Sequence, residues 1–165
     1  MTASADRERA QVYAAELAAF DGTDLEAVVG FEVVVDAVRS VVGARWWPHD
    51  EITVREMRSD AKSSVTRCAG DGEVTIDIGI AGPQATIATG AHELAHALAG
   101  VGHGHDAVFR RAHLDVVQAI TNRDRLTAQG AVHVEQLARA YEAAGLTVGK
   151  RTWTPPPKLG GAIAL

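Results

Sequence analysis

Residues 92–109 read HELAHALAGVGHGHDAVF, and the rest of the chain is best read outward from them. His92 and His96 are four apart, so on a helix their rings lie one turn apart on one face. The spacing predicts a helix over about 84–99, with Ala91, Leu94 and Leu98 available for packing. Gly100, Gly102 and Gly104 form a permissive connector, and a second helix is expected from Asp106 to about Ile120. Upstream, Glu73–Ile80 alternates as a strand, with Val74, Ile76, Ile78 and Ile80 pointing one way and Thr75, Asp77 and Gly79 the other. Two further strands are expected near 52–58 and 63–68, and Gly70-Asp71-Gly72 reads as a hairpin turn. These three strands predict a small antiparallel sheet.

Toward the N-terminus, residues 4–20 read as a helix that Ser4 can cap, with Ala10, Tyr13, Ala14, Leu17 and Phe20 on its apolar face. Residues 25–42 repeat Val28, Phe31, Val34, Val35, Val38 and Val42 at helical spacing, although valine is a mediocre helix former and 31–35 also suits a strand. After residue 120, one or two helices are expected over 122–144, broken near Gly130 and stopped at Gly145. The expected organisation is one domain over residues 1–150 and an extended or loosely ordered tail over 151–165.

Composition narrows the function classes. The chain has 165 residues, 47% hydrophobic and 22% charged, within the ordinary globular range. No apolar run approaches the ~18 residues of a membrane span. The polar, charged start MTASADRERAQVYAAEL lacks the apolar region of a signal peptide, so a cytoplasmic location is expected. A formal charge of −5 speaks against a broad nucleic-acid-binding surface. Cys68 is the single cysteine, so it forms no internal disulfide and no thiolate metal site by itself.

Two imidazoles at i and i+4 can reach one Zn²⁺ at ~2.0–2.1 Å. With Glu93 beside the first, this is the H-E-x-x-H pattern of zinc peptidases, in which the glutamate is the general base. A catalytic zinc takes three protein ligands, and His103 or His105 can be the third because the flanking glycines let the chain reverse. A metzincin would have glycine at 99 and histidine at 102, where this chain has Ala99 and Gly102, and no methionine follows the motif.

HELAH, a short glycine-rich connector, and then His105 with Phe109 four residues on resemble the SprT-like zincins. The whole chain is similar to a group of small metallohydrolases of actinobacteria and their phages, which share an N-terminal helix like DRERAQVYAAE. The resemblance implies an α+β, zincin-like fold, with a small antiparallel sheet packed against the HELAH helix and further helices flanking it. It implies one zinc held by His92, His96 and His105, with Glu93 as catalytic base and a peptide or protein as substrate. In such folds the strand before the motif helix lines the cleft, so Glu73–Ile80 is expected to hold an extended peptide at its edge. The common form has glycine directly after the third histidine, whereas Asp106 follows His105 and the His-Gly pair here is His103-Gly104. The rival readings are a metal-dependent nuclease and a non-catalytic module with a structural zinc.

Other residues are expected to be structural. His113 reads as a hydrogen-bonded core histidine, His49 and His133 as surface residues, and Trp46-Trp47 as core. Asp106 can cap the helix after it or orient a ligand imidazole. Asp115 and Glu135 are conceivable carboxylate ligands that His105 makes unnecessary. Arg110-Arg111 and Lys150-Arg151 read as solvated basic pairs.

Overall fold

The computed structural model describes residues 2–48, 51–69, 75–122 and 127–158. Its elements run α1 (Thr2–Phe20), α2 (Phe31–Val42), β1 (Glu51–Glu56), β2 (Val65–Ala69), β3 (Thr75–Ile80), α3 (Ile87–Ala99), α4 (Ala107–Asn122) and α5 (Thr127–Ala143). The architecture is α+β. No helix among the described residues is long and apolar enough to cross a membrane.

The sheet corrects the antiparallel expectation. Its order is β1-β3-β2, with β1 parallel and β2 antiparallel to β3. Asp77 is suited to this central place for β3. It lies opposite Thr53 of β1 and Arg67 of β2, and its carboxylate accepts hydrogen bonds from Thr53 Oγ1 (3.2 Å), Arg55 Nε (2.9 Å) and Arg67 Nε (3.2 Å). Alternation along the chain put Asp77 on the polar face, and the flanking strands bury it there. Ile76, Ile78 and Ile80 on the other face join the hydrophobic core. Because β3 is paired on both sides, it has no edge to offer a peptide, contrary to expectation. The edge strands are β1 and β2. The Gly70-Asp71-Gly72 turn, Glu73 and Val74 lie outside the described residues.

α3 runs through the centre of the molecule. Thr86 caps it by accepting the Thr89 N–H at 3.0 Å, and all its residues but Thr89, His96 and Ala99 are buried. It packs against α2, α4 and the sheet. A helix buried on nearly all sides must be apolar nearly all round, so the polar His92 and Glu93 inside it stand out.

α2 is helical throughout, and the strand alternative for 31–35 does not hold. Its buried Val34, Val35, Val38 and Val41 form one stripe, and tertiary packing outweighs the modest cost of valine in a helix. Residues 25–30 are not part of it: a 3₁₀ turn covers Asp24–Glu26, and Val28 is 66% exposed. α1 begins at Thr2, so Ser4 lies within the helix and is not its cap. It buries Val12, Ala15, Glu16, Ala19 and Phe20, while Ala10, Tyr13, Ala14 and Leu17 of the expected face are exposed. Apolar residues surround α1 on every side, so spacing alone could not select the face. Gly130 lies inside α5 without breaking it, and Gly145, at φ 73°, follows the helix end.

The segment after α5 lies against α4. Gly149 N–H donates to Ala107 O (2.9 Å), Arg151 forms a two-pronged ion pair with Asp115 (2.6 and 2.8 Å), and Trp153 Nε1 donates to the same carboxylate (2.9 Å). Asp115 is thus engaged structurally, as is Glu135 with Arg139 on α5. Trp47 is buried and Trp46 packs on the core, as expected. His133 is half-buried with its ring edge-on to Phe20, so it is not a surface residue. His49 and residues 159–165 lie outside the described residues.

Candidate metal centre

His92 and His96 face the same way from α3, with ring centroids 5.0 Å apart. Gly100 (φ 106°) ends the helix and Gly104 (φ 57°) turns the chain, backbone states that side chains with a Cβ rarely adopt. The reversal brings His105 back so that its Nε2 lies 3.2 Å from His92 Nε2. One ligand nitrogen from each of His92, His96 and His105 falls within 4.8 Å of the other two. His103, by contrast, is 44% exposed and hydrogen-bonds Asp106 at 2.9 Å, away from the cluster. Asp106 also caps α4, its Oδ1 accepting the N–H groups of Val108 (3.0 Å) and Phe109 (3.1 Å).

The cluster rests on a buried frame. Phe109, fully buried, lies 4.4, 4.9 and 5.1 Å from the His96, His105 and His92 rings. Arg110 is buried and donates to His105 O (2.7 Å) and Thr147 O (2.6 Å). It is therefore no solvated basic residue: it ties the loop bearing His105 to the segment after α5. Arg151 is exposed, as expected, although it also pairs with Asp115.

Four contributors were not anticipated. Glu16 of α1 accepts from His92 Nδ1 at 2.9 Å, with both side chains less than a tenth exposed. Its other oxygen lies 3.7 Å from His113 Nε2, and His113 Nδ1 bonds the Tyr141 hydroxyl, so His113 is the core histidine expected. Tyr13 stacks on His92 at 5.1 Å and 9°, and Arg9 lies 5.5 Å from the Tyr13 ring. Thr66 of β2 donates its hydroxyl to Glu93 Oε2 at 2.6 Å. Only Glu16 left a trace in the sequence: it is a lone carboxylate in the apolar run AAELAAF.

The electrostatics follow from burial. Burial pushes His96 down to about 2 and His105 down to about 4, with the His92 charge adding to both. Both rings are therefore neutral at neutral pH, the form that binds metal. Burial works the same way on His92, but the Glu16 carboxylate outweighs it and raises the pKa. Glu16 itself, despite its burial, is held below the usual carboxylate range by His92. Burial raises Glu93, which makes it a better proton acceptor.

The chain matches no protein-family model, no curated protein and no solved structure.

One pair of this donor set is spaced as two ligands of a zinc ion would be. Two nitrogens bound at ~2.0–2.1 Å with a tetrahedral angle between them lie about 3.3–3.4 Å apart, and His92 and His105 are at 3.2 Å. Glu16 at Nδ1 fixes the N–H there, so that once a metal displaces any proton from Nε2 the His92 ligand atom is Nε2, the nitrogen next to His105. No fourth histidine, cysteine or carboxylate completes the group among the described residues. Two cavities open beside it, of about 520 and 300 Å³, and Glu93 lines both.

Proposed function

We propose that this chain is a zinc-dependent hydrolase of the SprT-like, zincin type, and that it acts as a peptidase. His92, His96 and His105 would hold the metal and Glu93 would act as general base. The observation that supports the reading is the convergence of one imidazole nitrogen from each of three histidines within 4.8 Å, with one pair 3.2 Å apart, while a buried carboxylate, Glu93, lines the adjoining cavities. A bound zinc would supply Lewis acidity, lowering the pKa of water from about 15.7 toward ~7 and polarising a carbonyl oxygen.

The protein's own groups divide the remaining work. Glu16 orients His92 and fixes its tautomer. Thr66 holds one Glu93 oxygen, which leaves the other to take a proton from the attacking water and deliver it to the leaving amine. Tyr13 covers one face of His92 and shields it from solvent. β2, the strand that carries Thr66, has no strand partner on its outer edge among the described residues, and an extended peptide would pair there beside Glu93.

Glu93 beside the cluster favours catalysis over a purely structural zinc, because a structural site gains nothing from a carboxylate there. Purified protein is expected to carry about one equivalent of zinc by atomic emission. Glu93→Gln should keep that metal and lose hydrolysis of casein and short peptides. Zinc-free protein from a zinc-replete preparation, or full activity in Glu93→Gln, would refute the reading.

A further inference from the structure

The two cavities meet at Arg9, Tyr13, Ser64 and Glu93, which border both, and they differ beyond that junction. Only the larger takes in Leu17, Val28 and Glu26. Leu17 and Val28 are 57% and 66% exposed, so their apolar surface is available to whatever enters. Glu26 stands half-buried in the 3₁₀ turn after α1, and no cation or donor pairs with its carboxylate among the described residues. Burial, and then the charges of Glu16 and Asp21, push its pKa up. Arg9 does not provide a counter-charge, because its guanidinium lies over Tyr13 at the junction.

We propose that the larger cavity binds a long cationic side chain of the substrate, lysine or arginine, with its stem along Tyr13, Leu17 and Val28 and its charged end on Glu26. Lysine and arginine lay their methylenes on apolar surface while the head group keeps a polar partner. A neutral aliphatic side chain would strip water from Glu26 and return no partner. An acidic one would meet a like charge. A volume of about 520 Å³ lies within the usual ligand-pocket range of ~300–1,000 Å³. The inference rests on the proposed function for the position of the scissile bond, at the junction beside Glu93, and not for the chemistry of the pocket.

Binding is measured on the zinc-supplemented Glu93→Gln protein, by fluorescence anisotropy of three labelled hexapeptides differing only in a central lysine, norleucine or glutamate. The lysine peptide should bind about tenfold more tightly than the norleucine peptide, and the glutamate peptide most weakly. Adding Glu26→Gln should abolish the lysine advantage, and Glu26→Lys should reverse the order, with far-UV circular dichroism unchanged in both. Equal binding of the three peptides, no binding at all, or a lysine advantage that survives Glu26→Gln overturns the inference. Hydrolysis by the wild-type protein separates the two readings. Cleavage without lysine preference leaves the peptidase and removes the pocket, whereas lysine-selective binding without cleavage of any peptide does the reverse.

Discussion

Replacing Glu16 tests whether a carboxylate on the first helix sets the metal affinity of a histidine on the third. Its Oε2 lies 2.9 Å from His92 Nδ1, with the two side chains 9% and 4% exposed, so solvent screening is slight. Glu16→Gln keeps the shape and an acceptor oxygen but removes the charge. Hydrogen bonds to charged groups contribute ~1.5–3 kcal/mol, about twice the neutral value. The change should therefore cost about 1–1.5 kcal/mol, or roughly tenfold in zinc affinity, at the low end of the 10–100-fold usual for such partners. Glu16→Ala should approach ~100-fold and destabilise the fold by about 3 kcal/mol, because the His92 N–H loses its acceptor in a buried site. Competition with a chromophoric chelator at fixed pH and ionic strength measures the affinities, and chemical denaturation the stabilities. A folded Glu16→Gln protein that binds zinc like wild type would show that the 2.9 Å contact does not orient His92, and the reasoning would fail.

Three further expectations follow from the same geometry. His105→Ala should lower zinc affinity well beyond the effect of Glu16→Ala, whereas His103→Ala breaks only a half-exposed contact with Asp106 and should cost at most about 1 kcal/mol of stability; the opposite order in a zinc titration would move the third ligand to His103. Thr66→Val should leave zinc binding intact and lower kcat by about tenfold, since the Glu93 carboxylate loses the donor that positions it; an unchanged kcat would remove Thr66 from the site. Asp77→Asn should destabilise the protein by about 1–2 kcal/mol at neutral pH. The Asp77 carboxyl is buried, but the Arg55 and Arg67 guanidiniums and the Thr53 hydroxyl hold its pKa below the ordinary 3.8. Its contribution is therefore complete above about 3.8 and lost as pH falls through the lower folded-state value, so the two proteins' melting temperatures should converge in that acid window. A gap that does not shrink as pH falls below about 3.8 would place the stabilisation elsewhere.

Much of this protein was legible in the chain itself. Periodicity located the helices and strands, and the i, i+4 pair with Glu93 marked the centre of the site, because these features depend on neighbours a few residues apart. The identity of a third histidine was narrowed only to two positions. Tertiary structure decided the rest. In the strand order found, Asp77 receives donors from both flanking strands, and His105 joins the cluster through two left-handed glycines and the buried Arg110. Glu16 reaches His92 across 76 positions, and Thr66 reaches Glu93 across 27. Local spacing carries no record of such distances. Which face of α1 turns inward was equally hidden, because its apolar residues encircle the helix and only the buried histidines show where a carboxylate is needed.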